Sequence, residues 1–413
     1  MACHEEPLPG VGQGPPRPTV GAIVRAHLDD FIAQRPLNEA QRKALRATAA
    51  CRTSVLGGRV DVCAACGDEK VVFHSCRNRH CPTCQALTQA RWVESRMERL
   101  LPTDYFHVVF TVPDDLLNGL AMRNRELFFD ILFEAGSQTL LALGQDEKRL
   151  GAQLGLTAVL HTWTKDLRFH PHLHCIVTGG GLAADGSWKA TRRDYLFPVS
   201  VLSALFRGKV VAALSAAYRD GRLDVRGVEG FVDVPDEDTA WRRLRRKLRR
   251  KTWVSYAKPP FAGPESVLRY LGRYTHRVGL SNNRLVSATA DAVTFRTRAE
   301  ATASLHPHEF LHRFVQHVLP SGFVKLRHYG LLAPGNVNTR LVAARTALQK
   351  LHRRAPSPEP SPAPSPLPDV VKSPPSWREL LLRLTGVDVT TCRKCGGAIH
   401  SRPLARPPPK DSS

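Results

Sequence analysis

Three histidines at alternate positions, His170, His172 and His174, share a short run that leads into Ile176-Val177-Thr178 and three glycines. In an extended strand alternate side chains lie on one face, so the three imidazoles would point the same way. Neutral imidazole is the commonest protein metal ligand and suits several divalent metals. A second run sets Tyr270 and Tyr274 four apart, with Arg277 three further on and Arg269, Arg273 and His276 around them. On a helix the two phenols share a face. Aromatics at that spacing are commonly core, but tyrosines bracketed by three arginines suit a dry interior poorly. Phenol ionises near pH 10, and a positive field or a metal ion helps it ionise and attack phosphorus.

The cysteines suggest different chemistry. Cys63-Ala-Ala-Cys66 and Cys81-Pro-Thr-Cys84 are two knuckles of the kind that close a tetrahedral thiolate site for Zn²⁺. A segment of this size cannot bury enough core unaided, so the metal would serve as its cross-link. Cys51, His74, Cys76 and His80 fall in the same stretch, leaving open a mixed site, with Cys76 or His80 as a ligand, or a second zinc. Arg77 and Arg79 lie between the knuckles and could contact phosphate. A further pair, Cys392 and Cys395, stands near the C-terminus with His400 as a candidate third ligand. Alone it reads as an eroded zinc knuckle.

The whole chain is basic: 59 Lys and Arg against 37 Asp and Glu, a net charge of +22 over 413 residues. Such an excess calls for a polyanionic partner, nucleic acid first and a membrane surface second. With no run of 18 apolar residues and no apolar leader, the expectation is a soluble, non-secreted, cytoplasmic protein with no membrane partner. Cysteines in such a chain indicate metal before disulfide.

The elements that must position these groups can be read from periodicity. Residues 1–19 form a Pro-rich leader expected to be disordered. Residues 20–95 hold two helices and the zinc module. A larger domain spans 100–340, with apolar strands at Phe106–Val112, Leu156–Trp163 and Phe169–Val177, the last two joined as an antiparallel hairpin through Thr164–Arg168. Helices are expected over Leu127–Leu143 and Leu202–Tyr218, a strand hairpin over Leu285–Arg298, a helix over Phe310–Val318 and a strand over Phe323–Leu332. His308-Glu309-Phe310-Leu311-His312 matches a metalloprotease motif formally, but the chain is rich in histidine and no third ligand accompanies the match. A basic, then Pro/Ser-rich linker runs over 341–376, and a tail over 377–413 carries Cys392 and Cys395.

After the acidic cap Asp236-Glu237-Asp238, Trp241, Leu244 and Leu248 form a helical stripe. Around them lie eight cations, Arg242, Arg243, Arg245, Arg246, Lys247, Arg249, Arg250 and Lys251. So many like charges with no acid between them repel one another unless a phosphate backbone neutralises them.

Taken in order, Ser75-Cys-Arg-Asn-Arg-His-Cys-Pro-Thr-Cys84, His170-Pro-His-Leu-His174, Tyr270-Leu-Gly-Arg-Tyr274-Thr-His-Arg277 and Arg327-His-Tyr-Gly330 resemble one family. They are similar to the two-tyrosine rolling-circle insertion-sequence transposases of the His-hydrophobe-His endonuclease type. The likeness covers roughly residues 20–335. It implies an α+β fold in which a central antiparallel sheet, flanked by helices, carries the histidines on a middle strand. It implies that His172 and His174, with His170, His276 or another residue, hold Mg²⁺ or Mn²⁺, and that Tyr270 and Tyr274 are the nucleophiles. The substrate would be single-stranded DNA at element ends and target, cut and rejoined through a 5′-phosphotyrosine, with no nucleotide cofactor. The protein would associate with the bacterial nucleoid through DNA, and self-association is compatible with the sequence. Two other readings stay open: a zinc-dependent DNA-binding protein without catalysis, and a metal-dependent nuclease using water. In any of them, neutralising four of the eight cations between Arg242 and Lys251 should flatten the salt dependence of DNA affinity. With about 0.7 counterions released per contact on a single strand, the log–log slope should fall by about 3, read by fluorescence anisotropy across a salt series.

Overall fold

The computed structural model describes residues 17–354 and 376–404 apart from 98, 193, 233, 262–266, 268–278, 299 and 300. Thr19 starts helix α1 (Val20–Gln34) by accepting the Ala22 N–H, and Asn38 starts α2 (Glu39–Ala50) in a reciprocal capping box with Gln41. A small hairpin follows, β1 (Gly58–Cys63) and β2 (Glu69–Phe73), and then α3 (Ala86–Met97). Strand β3 (Tyr105–Thr111) stops short of Pro113, and Asp114 and Asp115 open α4 (Asp114–Arg123), where carboxylates suit the helix dipole. Helix α5 (Arg125–Gln145) leads to the long hairpin β4 (Gln153–Trp163) and β5 (Phe169–Leu182), extended by β6 (Trp188–Ala190). Helices α6 (Val199–Arg219) and α7 (Glu237–Arg250) precede β7 (Ser255–Phe261).

A second, smaller sheet comprises β8 (Leu285–Ala288), β9 (Val293–Arg296) and β10 (Thr302–Leu305), and is followed by α8 (Pro307–Gln316). The chain then contributes β11 (Leu326–Gly330), α9 (Arg340–Arg354), α10 (Trp377–Thr385) and β12 (Ile399–Leu404).

The central sheet has the order β11-β4-β5-β3-β7, antiparallel throughout, with β6 beside β5. The protein is therefore α+β, with the histidine strand β5 in the middle. Period-two alternation divides the side chains between two faces. Phe106, Val108 and Phe110 of β3, Leu156, Ala158 and Leu160 of β4, and Leu173, Cys175 and Val177 of β5 meet α4 to α7 in the main core. Two helices here, α5 and α6, are long and apolar enough by length and composition to cross a membrane. Both send buried stripes into this core instead, through Phe128, Phe129 and Leu132 from α5 and Leu202, Phe206 and Val210 from α6.

Helices α1 and α2 bury Val20, Val24, Phe31 and Leu45 against Val293, Phe295, Phe310 and Phe314 of the second sheet and α8. The N-terminal helices thus share a core with residues far along the chain. Strand β11 is shorter than the stretch Phe323–Leu332 expected for it, because Gly330 turns the backbone to φ 60°. A Cβ there would come 2.0 Å from the Leu154 carbonyl, so the glycine of Arg327-His-Tyr-Gly330 is required by the backbone.

His317, capping α8, joins the two cores. Its Nε2 donates to the Leu167 carbonyl (3.1 Å) and its Nδ1 accepts from the Thr162 hydroxyl (3.2 Å). Burial pushes its pKa down to about 3 from 6.5. The unfolded chain therefore binds a proton that the folded one refuses, and stability is lost as pH falls from 6.5 toward 3. This residue should contribute about 1.4 kcal/mol per pH unit in that window. The His317→Gln protein should show a correspondingly shallower acid dependence of its urea midpoint.

Candidate active site and metal centres

The face of the central sheet opposite the main core is polar. Register sets its rows. His161 lies opposite His172, and His172 opposite Thr111; Val159, His174, Val109 and Tyr256 form the next row; Thr157, Ile176, His107 and Lys258 the third. At the far edge His328 of β11 pairs with Thr157, their side chains 2.9 Å apart. Four histidines thus gather near the middle of one face. Tyr105, Val159 and Ile176 give that face an apolar patch, on which Val267 is wholly buried.

His161, His172 and His174 form the candidate metal centre, with ligand atoms all within 4.8 Å of one another. Their rings sit 4.1 Å (His161–His174), 4.9 Å (His172–His174) and 5.3 Å (His161–His172) apart between centroids. Outer contacts fix two of the rings. His172 Nδ1 donates to the His170 carbonyl at 2.7 Å, and His174 Nδ1 shares a proton with His107 Nε2 at 2.8 Å, so each turns its Nε2 inward. Burial drives the pKa of His172 down to about 4 and those of His161 and His174 well below 6.5, leaving neutral imidazoles ready to ligate.

The third histidine of the cluster is His161, a residue outside the two named candidates, His170 and His276. His170 is directed to Asp114, 3.6 Å away, and does not join the trio. A register shift in the β4–β5 pairing between His161 and Trp163 breaks regular alternation at that end of the hairpin. His161 was not singled out from the sequence: a regular hairpin centred on Thr164–Arg168 would set residue 161 against 171, and it is the register shift that sets it against His172. His276, Tyr270, Tyr274, Arg269, Arg273 and Arg277 lie outside the described residues. His308 and His312 sit on α8, apart from the trio.

Around the trio, Trp163 stacks on His161 at 4.6 Å, and the Lys325 ammonium lies 4.6 Å from the centre of the Trp163 ring. Burial lowers the Lys325 pKa to about 7. Gly279 closes this end: a Cβ on it would lie 3.6 Å from the Trp163 ring.

The cysteines form two groups, with a partition different from the expected one. Cys51, Cys76, Cys81 and Cys84 make one cluster, and Cys63, Cys66, Cys392 and Cys395 the other. Cys63 and Cys66 thus do not share a site with Cys81 and Cys84. The β1–β2 hairpin carries its knuckle to one end, while the β2–α3 loop folds back on Cys51, the C-cap of α2. A tetrahedron with Zn–S bonds of 2.3 Å has S···S edges of about 3.8 Å. Cys76 and Cys84 stand 3.7 Å apart, the length of such an edge, and the ligand atoms of all four cysteines lie within 4.8 Å of one another. His80 is excluded from it, because its buried Nε2 accepts the Leu319 N–H at 3.1 Å.

Residues 155–340 match the family model described as "Putative transposase", and residues 23–112 the model described as "Transposase zinc-binding domain". The chain is similar to "Putative transposase y4qJ" of Sinorhizobium fredii (strain NBRC 101917 / NGR234). The two are 40% identical over 388 residues, covering 92% of this chain and 93% of that protein. It is similar also to "Transposase for insertion sequence element IS801" of Pseudomonas savastanoi pv. phaseolicola, 29% identical over 299 residues, 69% of this chain and 68% of the other. The chain belongs to the rolling-circle insertion-sequence transposases. No solved structure matches it.

Among the cations expected to meet DNA, the transposase keeps Arg243, Arg246, Arg249 and Arg250 exposed on α7, with Arg245 half-buried. Trp241 and Leu248 anchor the opposite side of that helix in the main core. Arg242 is engaged by Asp236, Thr239 and the Asp238 carbonyl. Arg79 donates to the Phe323 carbonyl at 2.8 Å and serves as a strut, whereas Arg77 is exposed in a left-handed turn, φ 53°. Replacing Cys51 with Ser should cost the transposase the same zinc ion as replacing Cys84. Protein-bound zinc measured by mass spectrometry should fall by one equivalent in each, and in the double variant by one and not two.

Proposed function

We propose that this transposase cuts and rejoins single-stranded DNA at the ends of its element, with Tyr270 and Tyr274 as nucleophiles beside the His161–His172–His174 centre. The observation that supports this most directly is the flanking of the histidine face by both ends of the tyrosine segment. Val267 is buried on the sheet face that carries the histidines, and Gly279 abuts Trp163, which stacks on His161. Tyr270 follows Val267 by three residues in the sequence, a chain length of at most about 11 Å.

In this reaction the phenol oxygen of one tyrosine attacks the scissile phosphorus. The bond from phosphorus to the 3′ oxygen breaks, the phenolic proton passes to solvent or a neighbouring base, and the departing 3′ oxygen is protonated. The product is a 5′-phosphotyrosine, which keeps the phosphodiester bond energy for the later joining step. A second tyrosine permits a second transfer before the first link is resolved. A divalent ion held by the three histidines would supply Lewis-acid polarisation of a phosphoryl oxygen and orient it for in-line attack. Three imidazoles without a carboxylate favour Mn²⁺ over Mg²⁺, which prefers oxygen ligands. Lys325 and Lys258, at opposite sides of the histidines, would attract the phosphate.

Tyr256 is the rival nucleophile, since it stands on the same face with its ring 6.4 Å from His107. It is partly exposed, and Lys258 lies 5.9 Å from its ring centre. Labelled single-stranded element ends distinguish these readings. Wild type should form a covalent adduct, Tyr270→Phe/Tyr274→Phe none, and Tyr256→Phe as much as wild type. His172→Ala should lower cleavage by 10³-fold or more while DNA affinity stays within about 2-fold, because affinity comes mainly from phosphate contacts. An adduct in the double tyrosine variant would move the nucleophile elsewhere. Cleavage without any adduct would favour water, and an adduct formed after EDTA treatment would remove the ion from the chemistry.

A further inference from the structure

The C-terminal tail returns to the N-terminal hairpin across the Pro/Ser-rich stretch. Strand β12 pairs with β1 in antiparallel register from Gly58↔Leu404 to Cys63↔Ile399, making a three-stranded sheet β12-β1-β2. Ionic contacts Lys394–Asp68 and Arg402–Glu69 (3.0 Å) reinforce it, and the Ser401 hydroxyl donates to Asp61 at 2.6 Å. Two Cys-x-x-Cys-Gly turns therefore face each other, Cys63-Ala-Ala-Cys66-Gly67 and Cys392-Arg-Lys-Cys395-Gly396.

The two turns have matching geometry. In each, the glycine N–H returns to the carbonyl of the first cysteine, at 3.1 Å to Cys63 and 2.9 Å to Cys392, and the glycine is left-handed, φ 71° and 75°. The Lys394 N–H points at Cys392 Sγ (3.4 Å), the contact by which a knuckle stabilises thiolate. Cys63 and Cys395 are 3.4 Å apart and Cys66 and Cys392 3.9 Å, close to the edge of a zinc–thiolate tetrahedron. Gly397 permits the approach, since a Cβ on it would sit 2.6 Å from Ala65 and 3.2 Å from Cys63 Sγ. His400 stands in β12 opposite Val62 and takes no part.

We propose that Cys63, Cys66, Cys392 and Cys395 hold a second structural zinc ion, which clasps the C-terminal tail to the N-terminal hairpin. The ion closes a loop from Cys66 to Cys392 that contains the whole catalytic sheet. The clasp also sets Arg393 and Lys394 across a groove of about 910 Å³ from Arg52, Arg59, Lys70 and Arg77, with Trp377 on the tail side. This inference concerns metal content and chain closure, and stands whether or not the phosphotyrosine reading does.

The full chain, purified under reducing conditions, should contain two zinc ions, and Cys392→Ser/Cys395→Ser one. With cobalt substituted for zinc, the thiolate charge-transfer absorption should fall by half in that variant. After cleavage at a protease site inserted between 355 and 375, the tail of the wild type should co-elute with the body on gel filtration, and the variant's should separate. Cys395→His, which keeps a ligand, should retain two metals and the co-elution, guarding against a loss that reflects only misfolding. One zinc in the wild type, two in the double serine variant, or a Cys63–Cys395 disulfide that persists under reductant would overturn the assignment.

Discussion

The register of one hairpin underlies the histidine cluster. Because β4 pairs with β5 so that His161 faces His172, the third imidazole arrives from a neighbouring strand and not from the next alternate position. Opposed residues in an antiparallel pair share a face and approach closely, whereas alternate residues on one strand stand about 6.8 Å apart along it. A compact ligand set is thus easier to build across strands than along one. A slip of one residue would send His161 into the main core and Leu160 into the site. That slip is opposed by Leu154, Leu156, Ala158 and Leu160, all buried on the other face, so the hydrophobic core also holds the three histidines in place.

The cysteine modules solve the opposite problem. Their strands are short, β2 is largely exposed, and Val71 lies 49% open to solvent, so burial offers them little. Thiolate clusters can hold such pieces where apolar area cannot. The first cluster ties the α2 C-cap to the loop before α3, and α2 in turn shares a core with α8 and the second sheet. His80 and Arg79 extend that attachment by bonding the backbone at Leu319 and Phe323, just before β11. The zinc module is in this way braced against the strand that edges the central sheet.

Much of this was legible in the sequence. Alternation and turn residues gave the three central strands, the hairpin and the helices α5 to α8 within a few residues, since each has a strong period. The motif order gave the family. Misreadings arose where partners are remote in sequence. Cys63-Cys66 and Cys81-Cys84 are nearest neighbours along the chain, and proximity suggested a single site. The actual grouping depends on Cys51, one residue past a helix end, and on Cys392 and Cys395, more than 300 positions away. His161 sits in an apolar strand with no motif around it, and only its register reveals it. Gly330 is the reverse case: part of a family signature, yet explained here by a backbone that would clash with any Cβ.

Charge and neutrality are set against each other at the histidine face. The chain carries +22, and Lys258 and Lys325 add to the field on His107, His161 and His174. That field, together with burial, opposes protonation of the imidazoles and keeps their lone pairs for a cation. The same positive field attracts anions. Helix α7 lies on the other side of the sheet, against the main core, yet its end reaches the same rim. Lys251 contacts Asp115, the adjacent Asp114 contacts His170, and both carboxylates belong to the first turn of α4. A strand gripped along the α7 cations could therefore enter the histidine face around this edge. Affinity would then be supplied from one side of the sheet and chemistry from the other, with α4 at the corner between them.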